Sequence, residues 1–263
     1  MEKTVDIFKR KRMTGLMAAI IVLAIYAGAS VIVEFNTLSA MGSMPAAIIW
    51  MAGNLIPNAE AMQKLPNILD KLIETALLSV AVTVIAGVFA FFFSLLGANI
   101  TKVNPLMKRF VRIVAAFFRN VPDVVWAMLL MFSFGQNILT GFFALFFTTF
   151  GLLTRAFIET IDEVSSACVE ALEATGAGFI QMVFQGIVPS SICGITTWIL
   201  YMIETNIRSS TLIGLLTATG IGYLFDLYYK RLDFASASLV VYLIVILVIG
   251  IEMASNRIRK VIM

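Results

Sequence analysis

Histidine is absent from the 263 residues, which removes an imidazole general base, the Ser-His-Asp arrangement and most zinc sites together. Charged residues are scarce at 13% of the chain, where an average soluble domain carries about 25%. Two cysteines, Cys168 and Cys193, stand 25 residues apart with no second pair. That spacing makes neither a metal site nor a disulfide framework, and both read as small apolar helix residues. No Gly-x4-Gly-Lys-Ser/Thr stretch occurs, so the chain lacks the phosphate loop with which to hydrolyse ATP itself. Any chemistry is left to carboxylates or to a partner.

Apolar material is what the sequence has in quantity: 60% hydrophobic residues, with 21 Phe and 14 Met, and a mean hydropathy of +0.96. Too little polar surface remains to cover a fold in water, which excludes a single soluble enzyme. The apolar runs reach the roughly 20 residues that an α-helix needs to cross a bilayer, and they lack the ten-residue alternation of a membrane β-barrel. The expected fold is all-α and integral to the membrane, with six transmembrane helices in one domain over residues 1–263.

The first apolar run, 13–33, follows Lys9-Arg10-Lys11-Arg12. Its 21 uncharged residues exceed a signal-peptide core, so it is expected to stay as an anchor. Residues 34–70 are more polar, carry Pro45, Pro57 and Pro66, and hold one short apolar piece, 46–51, that reads as an interfacial helix in an outside loop. Core spans occupy about 72–254. The second runs from Leu72 to Ala98, and the third, Ile113 to Phe134, is broken by Arg119-Asn120-Val121-Pro122-Asp123. The fourth is Phe142 to Ile161, the fifth begins near Ser191, and the sixth is Ala235 to Ala254. Six spans place both termini and the loops after spans two and four on one side. That side holds five Lys or Arg at the N-terminus, four after span two (Lys102, Lys108, Arg109, Arg112) and three at the C-terminus, against four on the other side. By the positive-inside rule both termini of this multi-pass protein are expected to be cytoplasmic.

Segment 162–189 has four acids and no Lys or Arg. Ala167, Ala171 and Ala174 recur at i, i+4 and i+7, a stripe of small residues where another backbone can approach closely. Gly176 and Gly178 permit a turn, and a second helix is expected from Phe179 to Val188-Pro189, where span five begins. The acids disfavour a resting place on anionic lipid. A short helix, a turn and a second helix therefore read as a docking elbow for a soluble partner, with a membrane-surface connector as the other reading.

Ionisable groups at membrane depth cost at least about 2.5 to 3.5 kcal/mol each, so they face a cavity or a partner. Arg119 and Asp123 are four apart, as are Glu204 and Arg208. On a helix each pair shares a face and can neutralise itself, fixing helix register. Alternatively, Pro122 unwinds the first stretch into an anion-binding end. Asn206, Ser209, Ser210 and Thr211 surround the second pair with hydrogen-bonding groups, and the planar fork of Arg208 matches a phosphoryl group bidentately. The Gly214 to Gly222 stretch suits close helix packing or a gate.

Glu170-Ala171-Leu172, three residues, Gly176, then Pro189 thirteen residues later resembles the EAA loop of the permease subunits of type I ABC importers, written Glu-Ala-Ala, three residues, Gly, nine residues, Ile, one residue, Leu-Pro. Leu172 stands for the second Ala, Gly186 for Ile and Val188 for Leu, with the spacing intact. Arg119-Asn120-Val121-Pro122-Asp123-Val124-Val125-Trp126-Ala127 resembles a signature of the phosphonate importer permeases, as does Asn206-Ile207-Arg208-Ser209-Ser210-Thr211 with Gly214-Leu215 and Gly220-Ile221-Gly222. The resemblance implies a non-catalytic, homodimeric pore in the lipid of a bacterial cytoplasmic (inner) membrane, fed by an extracytoplasmic substrate-binding protein and working by alternating access. It implies coupling to ABC ATPase subunits through Glu170, Ala171, Glu173, Gly176 and Pro189, with ATP and magnesium held by those partners and no cofactor or nucleic acid here. The substrate path is expected at Arg119, Asp123, Glu204, Asn206, Arg208, Ser209, Ser210 and Thr211, for phosphonates or related phosphorus oxyanions. The alternatives are a type I permease for another small solute, a stand-alone secondary transporter using a carboxylate such as Glu204, or, more weakly, a membrane enzyme.

Overall fold

A computed structural model describes residues 2–101, 104–164 and 166–262; Lys102 of the basic loop lies outside them. The described residues are helical, and they fall into two compact units, 1–54 and 55–263. In the first, α1 (Glu2–Ile32) and α2 (Thr37–Asn54) are joined by a tight turn in which Asn36 Oδ1 accepts the Ser39 N–H at 3.1 Å. That cap starts α2 nine residues before the short apolar piece expected there. The interfacial segment is thus a full 18-residue helix with Pro45 inside it.

The second unit contains α3 (Ala59–Gln63), α4 (Leu65–Gly97), α5 (Pro105–Asn120), α6 (Asp123–Phe134), α7 (Ile138–Val164), α8 (Ser166–Ala174), α9 (Phe179–Gln181), a π-helical turn (Met182–Ile187), α10 (Val188–Thr217), α11 (Gly220–Lys230) and α12 (Phe234–Ile262). Among the described residues, five helical segments are long and apolar enough to cross a membrane, and the bent pair α5–α6 makes up to six. Pro66 sits in the first turn of α4, where its missing N–H costs nothing, so this helix begins seven residues before the expected Leu72.

Helix α7 lies at the centre, against α4, α5, α6 and α10. Ala86 and Ala90 of α4 meet Phe150, Leu153 and Phe157 of α7 and Ile195 and Met202 of α10 in one buried cluster. Small residues bring the backbones close, as van der Waals packing in lipid requires. At Gly151 a Cβ would stand 2.7 Å from the Arg119 backbone nitrogen and 2.8 Å from the Ala115 carbonyl oxygen, so only glycine lets the end of α5 rest on α7.

At the far end of the bundle from α8, Lys64 Nζ donates to Asp233 Oδ2 at 2.5 Å and to Ser236 Oγ at 3.0 Å, and it lies 5.1 Å from the centre of the Tyr228 ring. Ser236 N–H donates to Asp233 Oδ1 at 3.1 Å. Burial pushes the Asp233 carboxyl up, but the hydrogen bonds from Lys64 and Ser236 and the Lys64 charge together hold it below its ordinary 3.8. A depressed carboxyl stabilises the fold fully above its unfolded value and loses that stabilisation as pH falls through the lower folded value. The pair is part-exposed and so contributes at most about 1 kcal/mol. In detergent, the wild type is expected to melt about 2 to 4 °C above Asp233→Asn at neutral pH, and the gap is expected to close as pH drops below 3.8.

Candidate functional site

Two places carry the polar residues singled out in the sequence. The first is the α8 elbow. Val169 is 3% exposed and packs with Leu95, Ala98, Ile161, Val183 and Ile187, which seats α8 on the ends of α4 and α7. The opposite face presents Ala167, Glu170, Ala171, Glu173 and Ala174 to the outside, all exposed. Thr175, Gly176 and Ala177 N–H groups close the helix on the Leu172 and Glu173 carbonyls. Gly176 has φ +81°, a left-handed conformation that costs an L-residue about 1 to 2 kcal/mol.

The expected stop at Val188-Pro189 is absent: the helical path runs unbroken from Phe179 to Thr217. Proline lacks an N–H, and its ring crowds the carbonyl four residues back. The wider π-helical turn over Met182–Ile187 immediately precedes α10, whose first turn holds Pro189, so the change of pitch absorbs the proline.

The second place lies within the bundle. Arg119 lies in the last turn of α5, Asp123 begins α6, and the two helices are bent by 89°. Val121 is extended, as a residue before proline prefers to be. The bend removes the i, i+4 register, and among the described residues no ion pair joins Arg119 to Asp123; Asp123 Oδ1 accepts the Val124 N–H at 2.9 Å. Trp126 closes the bend against Phe147 at 4.9 Å between ring centres.

On α10 the helix stays intact and the pair forms: Arg208 Nη2 lies 2.9 Å from Glu204 Oε1, with side-chain exposures of 54% and 15%. Helical rotation splits the surrounding polar string. Positions 204, 208 and 211 share one face, and 206, 210, 213 and 217 share another. The second face is buried. Asn206, 3% exposed, donates from Nδ2 to Thr83 Oγ1 at 2.8 Å and to Thr149 Oγ1 at 2.9 Å, linking α10 to α4 and α7. Ser210 is also buried and accepts from Ser79 Oγ at 2.9 Å. Ser209 and Thr211 are half-buried, and Thr211 Oγ1 donates to the Ile207 carbonyl at 3.1 Å. Beyond this face, Gly214 and Gly222 meet where α10 and α11 cross, a Cβ at Gly214 standing 2.5 Å from the Thr219 carbonyl oxygen.

Residues 90–262 match the family described as the binding-protein-dependent transport system inner membrane component. The chain belongs to this family. Relatives include the phosphate-import permease protein PhnE of Mycolicibacterium smegmatis, 26% identical over 85% of this chain and 43% of that protein. The phosphite transport system permease protein PtxC of Stutzerimonas stutzeri is 28% identical over 72% of this chain and 69% of that protein. The chain thus spans less than half the length of the Mycolicibacterium relative. The fold is that of the permeases in solved importers. A chain of the MetNI methionine ABC transporter in an inward-facing conformation aligns over 78% of this chain and 99% of its own length, with a TM-score of 0.68 at 19% identity. An amino acid ABC transporter aligns over 76% and 95%, with a TM-score of 0.65 at 15% identity.

In this inner membrane component, the Thr83 and Thr149 partners of Asn206 escaped the sequence reading. Single hydroxyls on apolar helices bond equally well to their own backbone, as Thr83 Oγ1 does to Ser79 O at 2.7 Å. Asn206→Leu leaves two hydroxyls facing an apolar side chain. Interhelical hydrogen bonds in membranes average about 0.6 and reach about 1.7 kcal/mol, so a loss of about 1 to 2 kcal/mol and a melting decrease of about 2 to 8 °C are expected. Ser209→Ala, one position from the pair face, is expected to change the melting temperature by less than half as much in the same calorimetric scan.

Proposed function

We propose that this chain is the translocating subunit of an ATP-driven importer for phosphonates or related phosphorus oxyanions. The observation that carries this reading is the Glu204–Arg208 pair, whose arginine side chain is 54% exposed on a single chain only nine residues, or about 14 Å, from the end of a membrane-crossing helix. A charge so placed calls for a cover other than lipid. Two copies of the chain closing around a two-fold axis provide one, in the form of a polar path between them. The names of the phosphate and phosphite relatives support a phosphorus oxyanion as its cargo.

In this reading both termini and α8 face the cytoplasm, as the distribution of Lys and Arg favours. Helix α8 offers Glu170, Ala171 and Glu173 to a groove on an ATPase subunit, which binds ATP and magnesium. A binding protein delivers the anion from the outer side. ATP-driven closure of the two ATPases draws the elbows together, the bundles rock, and the path opens outward to receive cargo. Arg208 then meets the phosphoryl oxygens with a two-pronged set of hydrogen bonds. Glu204 beside it keeps that contact weak enough for release. Arg119, at the end of α5, offers a second cation at the bend.

Uptake into proteoliposomes holding the permease, its ATPase and its binding protein tests the reading across methylphosphonate, phosphite, phosphate and sulfate. ATP-dependent uptake of at least one phosphorus oxyanion over sulfate is expected, and Arg208→Gln is expected to cut it about tenfold or more with the complex intact by size exclusion. Uptake without the ATPase would sink the reading in favour of a secondary transporter. For the elbow, Gly176→Leu forces the left-handed turn open. It is expected to leave membrane insertion unchanged while co-purification of the ATPase falls, as read by quantitative blotting.

A further inference from the structure

One carboxylate outside these sites gathers more donors than any role in local capping requires. Asp162 is the last acid but one of α7, two residues before the helix ends at Val164. Its Oδ1 accepts the Asn99 N–H at 2.6 Å and the Ile100 N–H at 3.3 Å. Its Oδ2 accepts from Asn99 Nδ2 at 2.5 Å and from Arg112 Nη2 at 3.3 Å. Arg112 Nε in turn donates to the Gly97 carbonyl at 3.1 Å, and Lys108 donates to Asn99 Oδ1. A single side chain therefore holds the end of α4, the connection after it and the first half of α5.

Helix α8 is seated on the same knuckle. Val169 packs against Leu95 and Ala98 at the end of α4 and against Ile161, the residue before Asp162. Beside Asp162 a cleft of about 560 Å³, lined by Asn99, Arg112, Ala115, Arg155 and Glu159 among others, leaves α5 and α7 incompletely packed at this end. The polar link is therefore the tie between them at this end, while the other end of α5 rests on Gly151 of α7. Helix α5 then runs to Arg119 and the 89° bend.

We infer that Asp162 is a positioning residue for transport, the joint through which movement of the α8 elbow reaches α5 and the bend at Arg119. This rests on the proposed importer function. Its chemistry is that of a charge-assisted acceptor: a carboxylate holding backbone N–H groups and a guanidinium at once makes a stiffer tie than apolar contact, which lets surfaces slide. Without the carboxylate, α8 still docks and the ATPase still turns over, but α5 no longer follows.

The test uses the reconstituted complex, with ATP turnover and uptake measured on the same vesicles. Asp162→Ala is expected to keep ATP hydrolysis within about twofold of wild type while the ATP consumed per substrate imported rises tenfold or more. Asn99→Ala is expected to act in the same direction, and the double variant no further than the stronger single one, because both break one link. An unchanged ratio in Asp162→Ala overturns the inference. Should that variant fail to assemble, Asp162→Asn, which keeps an acceptor oxygen without the charge, is judged by the same ratio with the same two outcomes. A second readout is independent of transport. Spin labels on Cys168, which is exposed on α8, and on Arg109→Cys in a Cys193→Ser background report the distance between α8 and α5. With ATPase and a non-hydrolysable ATP analogue, that distance is expected to stay constant in otherwise wild-type protein and to shift in Asp162→Ala. An equal shift in both overturns the inference. Absence of ATP-driven uptake by the wild type would instead count against the importer reading, with the distance measurement still deciding the joint.

Discussion

Hydrocarbon offers no hydrogen bonds, so every polar group that enters the bilayer needs a partner within the protein. The placing of nearly every polar residue in the helical core follows from that constraint. Hydroxyls fold back onto carbonyls one turn earlier, as at Thr75, Ser79 and Thr217. Asn206, which has no such option for both donors, finds two threonines on neighbouring helices instead. In the helices of the 55–263 unit proline, which deletes a donor, is found at helix starts, at a sharp break after Val121, or behind a π-helical turn. The same constraint explains why only one of two similar charge pairs closes. Glu204 and Arg208 lie on uninterrupted helix and meet, while Pro122 separates Arg119 from Asp123 and leaves the two side chains to different elements.

Hydropathy made the middles of the spans legible and left their ends obscure. The expected runs 142–161 and 235–254 fall inside helices Ile138–Val164 and Phe234–Ile262, because composition registers the hydrocarbon-crossing part and not the polar turns that extend beyond it. Asn36 and Pro66 were the available signals for the earlier starts of α2 and α4, as a cap and a first-turn proline. The broken third span was readable from Val121-Pro122 because the restriction before proline is local. The continuous helix through Pro189 was not, since proline alone predicts a stop and the compensating π-helical turn depends on how Val183 and Ile187 pack against α8.

The candidate site was legible by residue type and only partly by arrangement. Residues 204–211 stood out as a polar string in an apolar helix, but a string has no faces until its rotation is known. Asn206 and Ser210 turn inward to α4 and α7, and Glu204 and Arg208 turn outward. Asp162 drew notice only as one acid in an acidic segment, because its donors come from residues about 50 and 63 positions earlier in the chain.

These placements connect. Asn206 and Arg208 are two residues apart, so a tie that holds one against α4 and α7 sets the angle at which the other is presented. At the opposite end of the same continuous helix, the π-helical turn and the Val169 cluster join α10 to the elbow. In the proposed importer a push on α8 has two routes into the bundle. One runs along α10 to Arg208, and the other passes through Asp162 and α5 to Arg119. Both routes end at a guanidinium. An importer that moves an anion needs its cationic contacts to change position together, since a single fixed cation would hold the cargo rather than pass it on. In the proposed importer, two levers leaving one elbow meet that requirement.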